Sequence, residues 1–168
     1  KEIKTGNEIW HAMPDVFDPE FERRARLTIA QIAKEIQGSP WCVGVFVDNE
    51  KTWGYRTGPL ERRYFLSVAA MGADASESPA KAAFSQYLIT KYKTIEELNQ
   101  SWNTNIESFK DMKKGVKFES YNDNLEADLS EMLSMLSTRY FKVVHDALEE
   151  VLPNHLYMGV RMATWGMP

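Results

Sequence analysis

Ser39-Pro40-Trp41-Cys42-Val43-Gly44-Val45-Phe46-Val47-Asp48-Asn49-Glu50 is an apolar run that stops abruptly at two acids and an amide. It reads as a buried strand that delivers carboxylates to an open end. Apolar residues at successive positions put cover on both faces of the strand, the pattern of a parallel sheet, and in such sheets ligands bind beyond the carboxyl ends of the strands. Asp48-Asn49-Glu50 occupies that position. Asp and Asn are also common turn residues, so the local pattern by itself fits a polar turn too. The continuation, Lys51-Thr52-Trp53-Gly54-Tyr55-Arg56-Thr57-Gly58, brings aromatics, cations and two glycines, the composition of a binding loop instead of a short turn.

Upstream, Asp18 followed by Pro19 is a helix start, with a capping side chain and a proline whose missing N–H costs nothing at the first position. Phe21, Ala25, Ile29, Ile32 and Ile36 recur at spacings of three and four and predict one apolar face, ended by Gly38 and Pro40. Downstream, Leu60 to Met71 predicts a second helix and Ser78-Pro79 a third, while Thr94 with Glu97 forms a capping box for a fourth. A polar stretch through Lys113, Lys114 and Gly115 leads to a long helix from about Asn124 to Leu152, which Pro153 stops. Leu125, Leu129, Met132, Leu136, Tyr140, Val143, Ala147 and Val151 form its face. His155 to Met162 reads as a second strand. The order strand, helices, strand predicts a parallel crossover enlarged by a helical insertion.

A chain of 168 residues, 43% hydrophobic and 26% charged, supports a packed core and argues against disorder. A net charge of −4 with no clustered basic surface excludes nucleic acid as a partner. No apolar run reaches the roughly 20 residues of a membrane span. Cys42 is the single cysteine, so neither an intrachain disulfide nor a cysteine-based metal site is expected. His11, His145 and His155 lack the spacing of zinc ligands, and neither a Gly-rich phosphate loop nor a Gly-x-Ser-x-Gly elbow occurs; no metal and no cofactor are expected. The N-terminal Lys-Glu-Ile-Lys has no apolar signal segment. Such a segment is removed from mature proteins, so the compartment stays open, a secreted or periplasmic location included.

The run from Ser39 to Gly54 resembles the fourth barrel strand of clan A glycoside hydrolases, in which an Asn-Glu pair ends the strand. Within that clan it is most similar to family 50, the β-agarases. The likeness extends to Pro14-Asp15-Val16-Phe17-Asp18-Pro19-Glu20-Phe21, to Ser78-Pro79-Ala80-Lys81-Ala82-Ala83-Phe84, to Tyr92-Lys93-Thr94-Ile95-Glu96-Glu97-Leu98-Asn99 with Trp102, and to Tyr157-Met158-Gly159-Val160-Arg161. The segment around Phe84, Tyr92 and Trp102 also looks like family 42 β-galactosidases. The resemblance implies an α/β fold, a partial (β/α)8 barrel around strands 4 and 5 with a helical insertion. A whole barrel needs about 250 residues, so residues 1–168 are read as a fragment of one catalytic barrel.

On that resemblance Glu50 is the general acid/base of a retaining hydrolase of β-galactosidic bonds in agarose-like galactans. Asn49 is the hydrogen-bond partner of the sugar 2-hydroxyl. Alternative readings are a β-galactosidase-like fragment, or a catalytically silent carbohydrate-binding or structural fragment. Glycoside hydrolysis uses two carboxyl groups. The second, at the end of the seventh strand in the clan, has no match here, so the chain by itself is expected to lack the nucleophile. Asp48, two residues from Glu50, is on the same side of an extended strand. An in-chain pair with Glu50 is one reading of it; the preferred one is support, orienting a neighbouring side chain or tuning Glu50 by its charge. Trp53 is a candidate sugar platform, as is Trp165. Arg161 is a candidate fork for a substrate hydroxyl or a catalytic carboxylate, with a buried salt bridge as its other reading. The expected partner is a polysaccharide or oligosaccharide, and the uncovered strand edges predict self-association.

Overall fold

The computed structural model describes residues 1–5 and 13–161. A two-residue antiparallel pair, β1 (Glu2–Ile3) with β2 (Met13–Pro14), begins it, an element too short to leave a periodic signal. Asp15 follows, fully buried, and accepts hydrogen bonds from the Phe17 amide at 3.1 Å and from the Ser78 hydroxyl and Ala80 amide at 3.0 Å each.

Asp18 caps α1 (Pro19–Ile36) by accepting from the Glu20 amide at 3.0 Å, as the Asp-Pro pair predicts. The buried stripe is rotated from the expected one: Ile29 and Ala33 are buried whereas Ile32 is exposed. The apolar run then supplies β3 (Gly44–Val45), which pairs in parallel with β4 (Leu156–Tyr157). Between them lie only helices among the described residues. The predicted second helix is divided at Tyr64 into α2 (Leu60–Arg63) and α3 (Phe65–Gly72). Ser78 caps α4 (Pro79–Tyr92), and Thr94 caps α5 (Ile95–Trp102) by accepting from the Glu97 amide at 3.2 Å. A short helix that the sequence reading leaves in the polar stretch, α6 (Phe109–Lys114), is capped by Ser108. Asn122 caps the long α7 (Asp123–Val151).

α7 is the spine. Leu125, Leu129, Met132, Leu136, Tyr140, Val143 and Ala147 are all buried along it, against α1, α3 and α5. Asp128 sits on the same buried face because four donors meet there: the Tyr87 and Tyr92 hydroxyls at 3.1 and 2.5 Å, the Lys91 ammonium at 2.5 Å and the Trp102 indole N–H at 2.7 Å. A buried carboxylate survives only with such pairing, and this one ties α4 and α5 to α7.

The apolar run departs from expectation. Val45, Val47 and Tyr157 pack against the helical core, but Trp41 is 91% exposed, and Val43, Phe46, Leu156 and Met158 are exposed as well. One face is covered, not two, because the described residues put no element against the other. Among the described residues the expected partial barrel is represented by one parallel strand pair buttressed by helices.

Candidate active site at the end of the parallel pair

The ladder between β3 and β4 begins regularly. Leu156 and Met158 donate to the Val43 and Val45 carbonyls, each at 3.0 Å. It then gains one residue on each strand. Val47 donates to Gly159 at 2.8 Å, where a regular ladder would use Met158, and the next donor along β3 is Glu50, to the Arg161 carbonyl at 2.7 Å. The extra residue on one side is Gly159 (φ 72°), which has no Cβ penalty there; on the other it is Asp48 (φ 70°). The two insertions cancel, so Asn49 pairs with Arg161 at the same sequence separation as Gly44 with Leu156. Glu50 is also left-handed, at φ 53°.

These bulges undo the alternation expected of an extended strand. Asp48 and Glu50 do not act on the same side. The Asp48 carboxylate accepts a hydrogen bond from the Tyr140 hydroxyl of α7, and Lys51 Nζ lies 3.8 Å from it. Glu50 instead meets Arg161, whose Nη2 donates to Oε1 at 3.2 Å. Arg161 thus holds the candidate acid/base, one of the two parts expected of it, in an open pair instead of a buried one. With side chains 43% and 63% exposed, that pair contributes about 0–1 kcal/mol. A non-glycine residue in the left-handed region costs about 1–3 kcal/mol, so the open ion pair cannot offset two of them. A hydrogen bond to a charged group is worth about 1.5–3 kcal/mol, and the Tyr140–Asp48 bond is of that class. Burial first, and then the hydrogen bond to Asp48, push the Tyr140 hydroxyl far above the ordinary phenol range, so it stays protonated as the donor. Tyr157, on the same side, is raised to about 12 by burial and by the Asp48 charge.

Trp53 is 4% exposed. Its ring stacks on Phe141 with centroids 5.7 Å apart and meets Tyr140 edge-on at 5.2 Å. In this arrangement it offers no open face to a sugar and instead walls the Tyr140 ring from one side. Phe21 stacks on Tyr140 from α1 at 5.6 Å. Trp165 lies outside the described residues, as do Trp10 and His11. No cluster of metal-ligating side chains occurs among the described residues, and no helix among them is long and apolar enough to cross a membrane. A cleft of about 1390 Å³ between β1, α1 and the end of α3 is lined in part by Asp48 and Tyr140 but not by Glu50.

The sequence reading treats Tyr140 only as part of the apolar face of α7. A phenol on a buried stripe needs a partner for its hydroxyl, and that requirement was the available signal.

No protein-family model matches the chain. Over 167 residues the chain is 42% identical to Beta-agarase B and 36% identical to Beta-agarase A, both of Vibrio sp. (strain JT0107). The matches take in 98% and 96% of this chain, which spans 17% of the length of each of these relatives. Three solved structures superpose on all of it: the agarase AgWH50C (44% identity, TM-score 0.94, 24% of that chain), an exo-beta-agarase (44%, 0.94, 23%) and PfGH50B (43%, 0.95, 24%). At these values the fold described here is the fold of the matching stretch of those three structures.

Proposed function

We propose that this chain is part of a retaining glycoside hydrolase acting on the β-galactosidic bonds of agarose-like galactans, with Glu50 as general acid/base. The observation that carries the reading is the position of Glu50. It is held by its amide and its side chain to Arg161 at the carboxyl end of a parallel strand pair, where α/β folds place their chemistry. The similarity to agarases over nearly the whole chain supports the substrate class.

In the first step Glu50 protonates the leaving glycosidic oxygen while a second carboxylate, supplied from outside these 168 residues, attacks the anomeric carbon. In the second step Glu50 takes a proton from water as that water displaces the enzyme carboxylate. Arg161 holds the Glu50 carboxyl through the Nη2–Oε1 hydrogen bond. Asn49, paired with Arg161 through the backbone, holds the sugar 2-hydroxyl.

The test uses a complete barrel carrying this segment. Glu50→Gln is expected to slow turnover most for agaro-oligosaccharides, whose leaving groups need a proton, and much less for activated aryl β-galactosides. Azide is expected to restore part of the activated-substrate rate, since the small anion attacks the glycosyl-enzyme without a general base. Equal loss on both substrates with no azide response removes Glu50 from the acid/base role.

A further inference from the structure

We infer that Tyr140 is a positioning residue for the acid/base: through its hydrogen bond to Asp48, α7 locks the bulge in β3 that sets where Asn49 and Glu50 stand against Arg161. The inference rests on the acid/base reading of Glu50 and adds a residue from a helix that sequence reasoning assigns to the core.

The bulge places a non-glycine residue, Asp48, in a left-handed conformation. Among the described residues two side chains reach the Asp48 carboxylate, the Tyr140 hydroxyl and, at 3.8 Å, the Lys51 ammonium. Only the first comes from another element. It is also the rigid one, since the Tyr140 ring is buried and fixed between Phe21, Trp53 and Phe141. If Asp48 is released and its backbone returns to the extended region, the extra residue leaves the ladder. Residues 49 and 50 then advance by one register position, about 3.3 Å, and exchange faces. The Glu50 amide loses its place on the Arg161 carbonyl and the Asn49–Arg161 pairing is lost with it. The effect of the Tyr140 hydroxyl is therefore on the placement of the proton donor and of its neighbour at the 2-hydroxyl, not on the binding of distant sugar units.

The experiment compares Tyr140→Phe, Asp48→Asn and the double variant in a complete barrel, with Glu50→Gln beside them. Tyr140→Phe keeps the ring and its neighbours and removes only the hydroxyl; Asp48→Asn weakens the same contact from its exposed end, so the question stays answerable if the first variant folds poorly. For agaro-oligosaccharides, kcat is expected to fall about tenfold or more in each single variant, with KM within about threefold, and the double variant to be no slower than the slower single one. Activated aryl β-galactosides, which need no proton but share the Asn49 contact, are expected to lose less. Additive losses, equal losses on both substrates, or kinetics like the parent protein would overturn the positioning role while Glu50→Gln still discriminates between leaving groups. If Glu50→Gln itself fails to discriminate, the acid/base reading falls, and this inference with it.

Discussion

Lys81 is fully buried, and its ammonium donates to the Met71 carbonyl at 2.7 Å. Burial is the main influence on it, partly opposed by the Asp74 charge, and brings its pKa from 10.5 to about 7. The unfolded chain keeps this proton up to about pH 10.5, whereas the folded chain releases it near 7. Unfolding in that window takes up a proton, and the Lys81 contribution to stability rises with pH by at most about 1.4 kcal/mol per unit. The Met71 carbonyl also accepts from the Val116 amide at 2.9 Å, so Lys81→Met leaves it satisfied. That variant is expected to be more stable than the parent by a few kcal/mol at and below pH 7, as a pKa lowered from 10.5 to about 7 implies, with the advantage shrinking between pH 7 and 10. Chemical denaturation across pH 6 to 10 measures it. A difference that does not change with pH would show that Lys81 is not strained by its charge.

At the scale of elements, the parallel pair depends on a close approach at Gly44. A Cβ there would lie 2.7 Å from the Leu156 carbonyl oxygen, 2.9 Å from the Leu156 Cβ and 3.0 Å from the Met158 sulfur. Two of those atoms belong to the partner strand's own backbone and first side-chain carbon, which cannot move without moving β4. Gly44→Ala is therefore expected to cost about 1–3 kcal/mol and to loosen the pair that carries both Glu50 and Arg161. Thermal unfolding, together with amide exchange at Leu156 and Met158, reads both effects. Unchanged stability and unchanged protection would mean the strands separate more easily than their contacts imply. The helical frame behind the pair is held differently: Asp128 gathers donors from α4 and α5, and the Ser67 hydroxyl of α3 donates to the Leu129 carbonyl of α7 at 2.8 Å.

At the scale of the whole molecule, Trp41, Val43, Phe46, Leu156 and Met158 leave one side of the strand pair apolar and open. The three solved structures reported above are about four times the length of this chain, each match covering 23–24% of the larger chain. Produced as these 168 residues, the protein is expected to self-associate through that face, because uncovered strand edges and apolar patches recruit partners. Light scattering is expected to report oligomers, and Phe46→Lys with Leu156→Lys to shift them toward monomer. A monodisperse parent monomer would show the open face to be tolerated in water.

The capped starts of α1, α4 and α5 and the end of the apolar run were legible in the amino-acid sequence because their causes are local. Asp18, Ser78 and Thr94 cap amides two or three residues ahead, and the apolar run stops where Asp48 begins. The long stripe of α7 was legible for the same reason, since every seventh or eighth residue returns to one face of the helix. The features decided by tertiary structure involve partners far apart in the chain. Tyr140 reaches Asp48 across 92 residues and Arg161 reaches Glu50 across 111. The paired bulges exist only when β3 and β4 are side by side, and the burial of Trp53 only when α7 lies behind it. A strand's alternation assumes a regular ladder; one inserted residue reverses it, and whether that residue is held in place is set by a helix hydroxyl on the other side of the core.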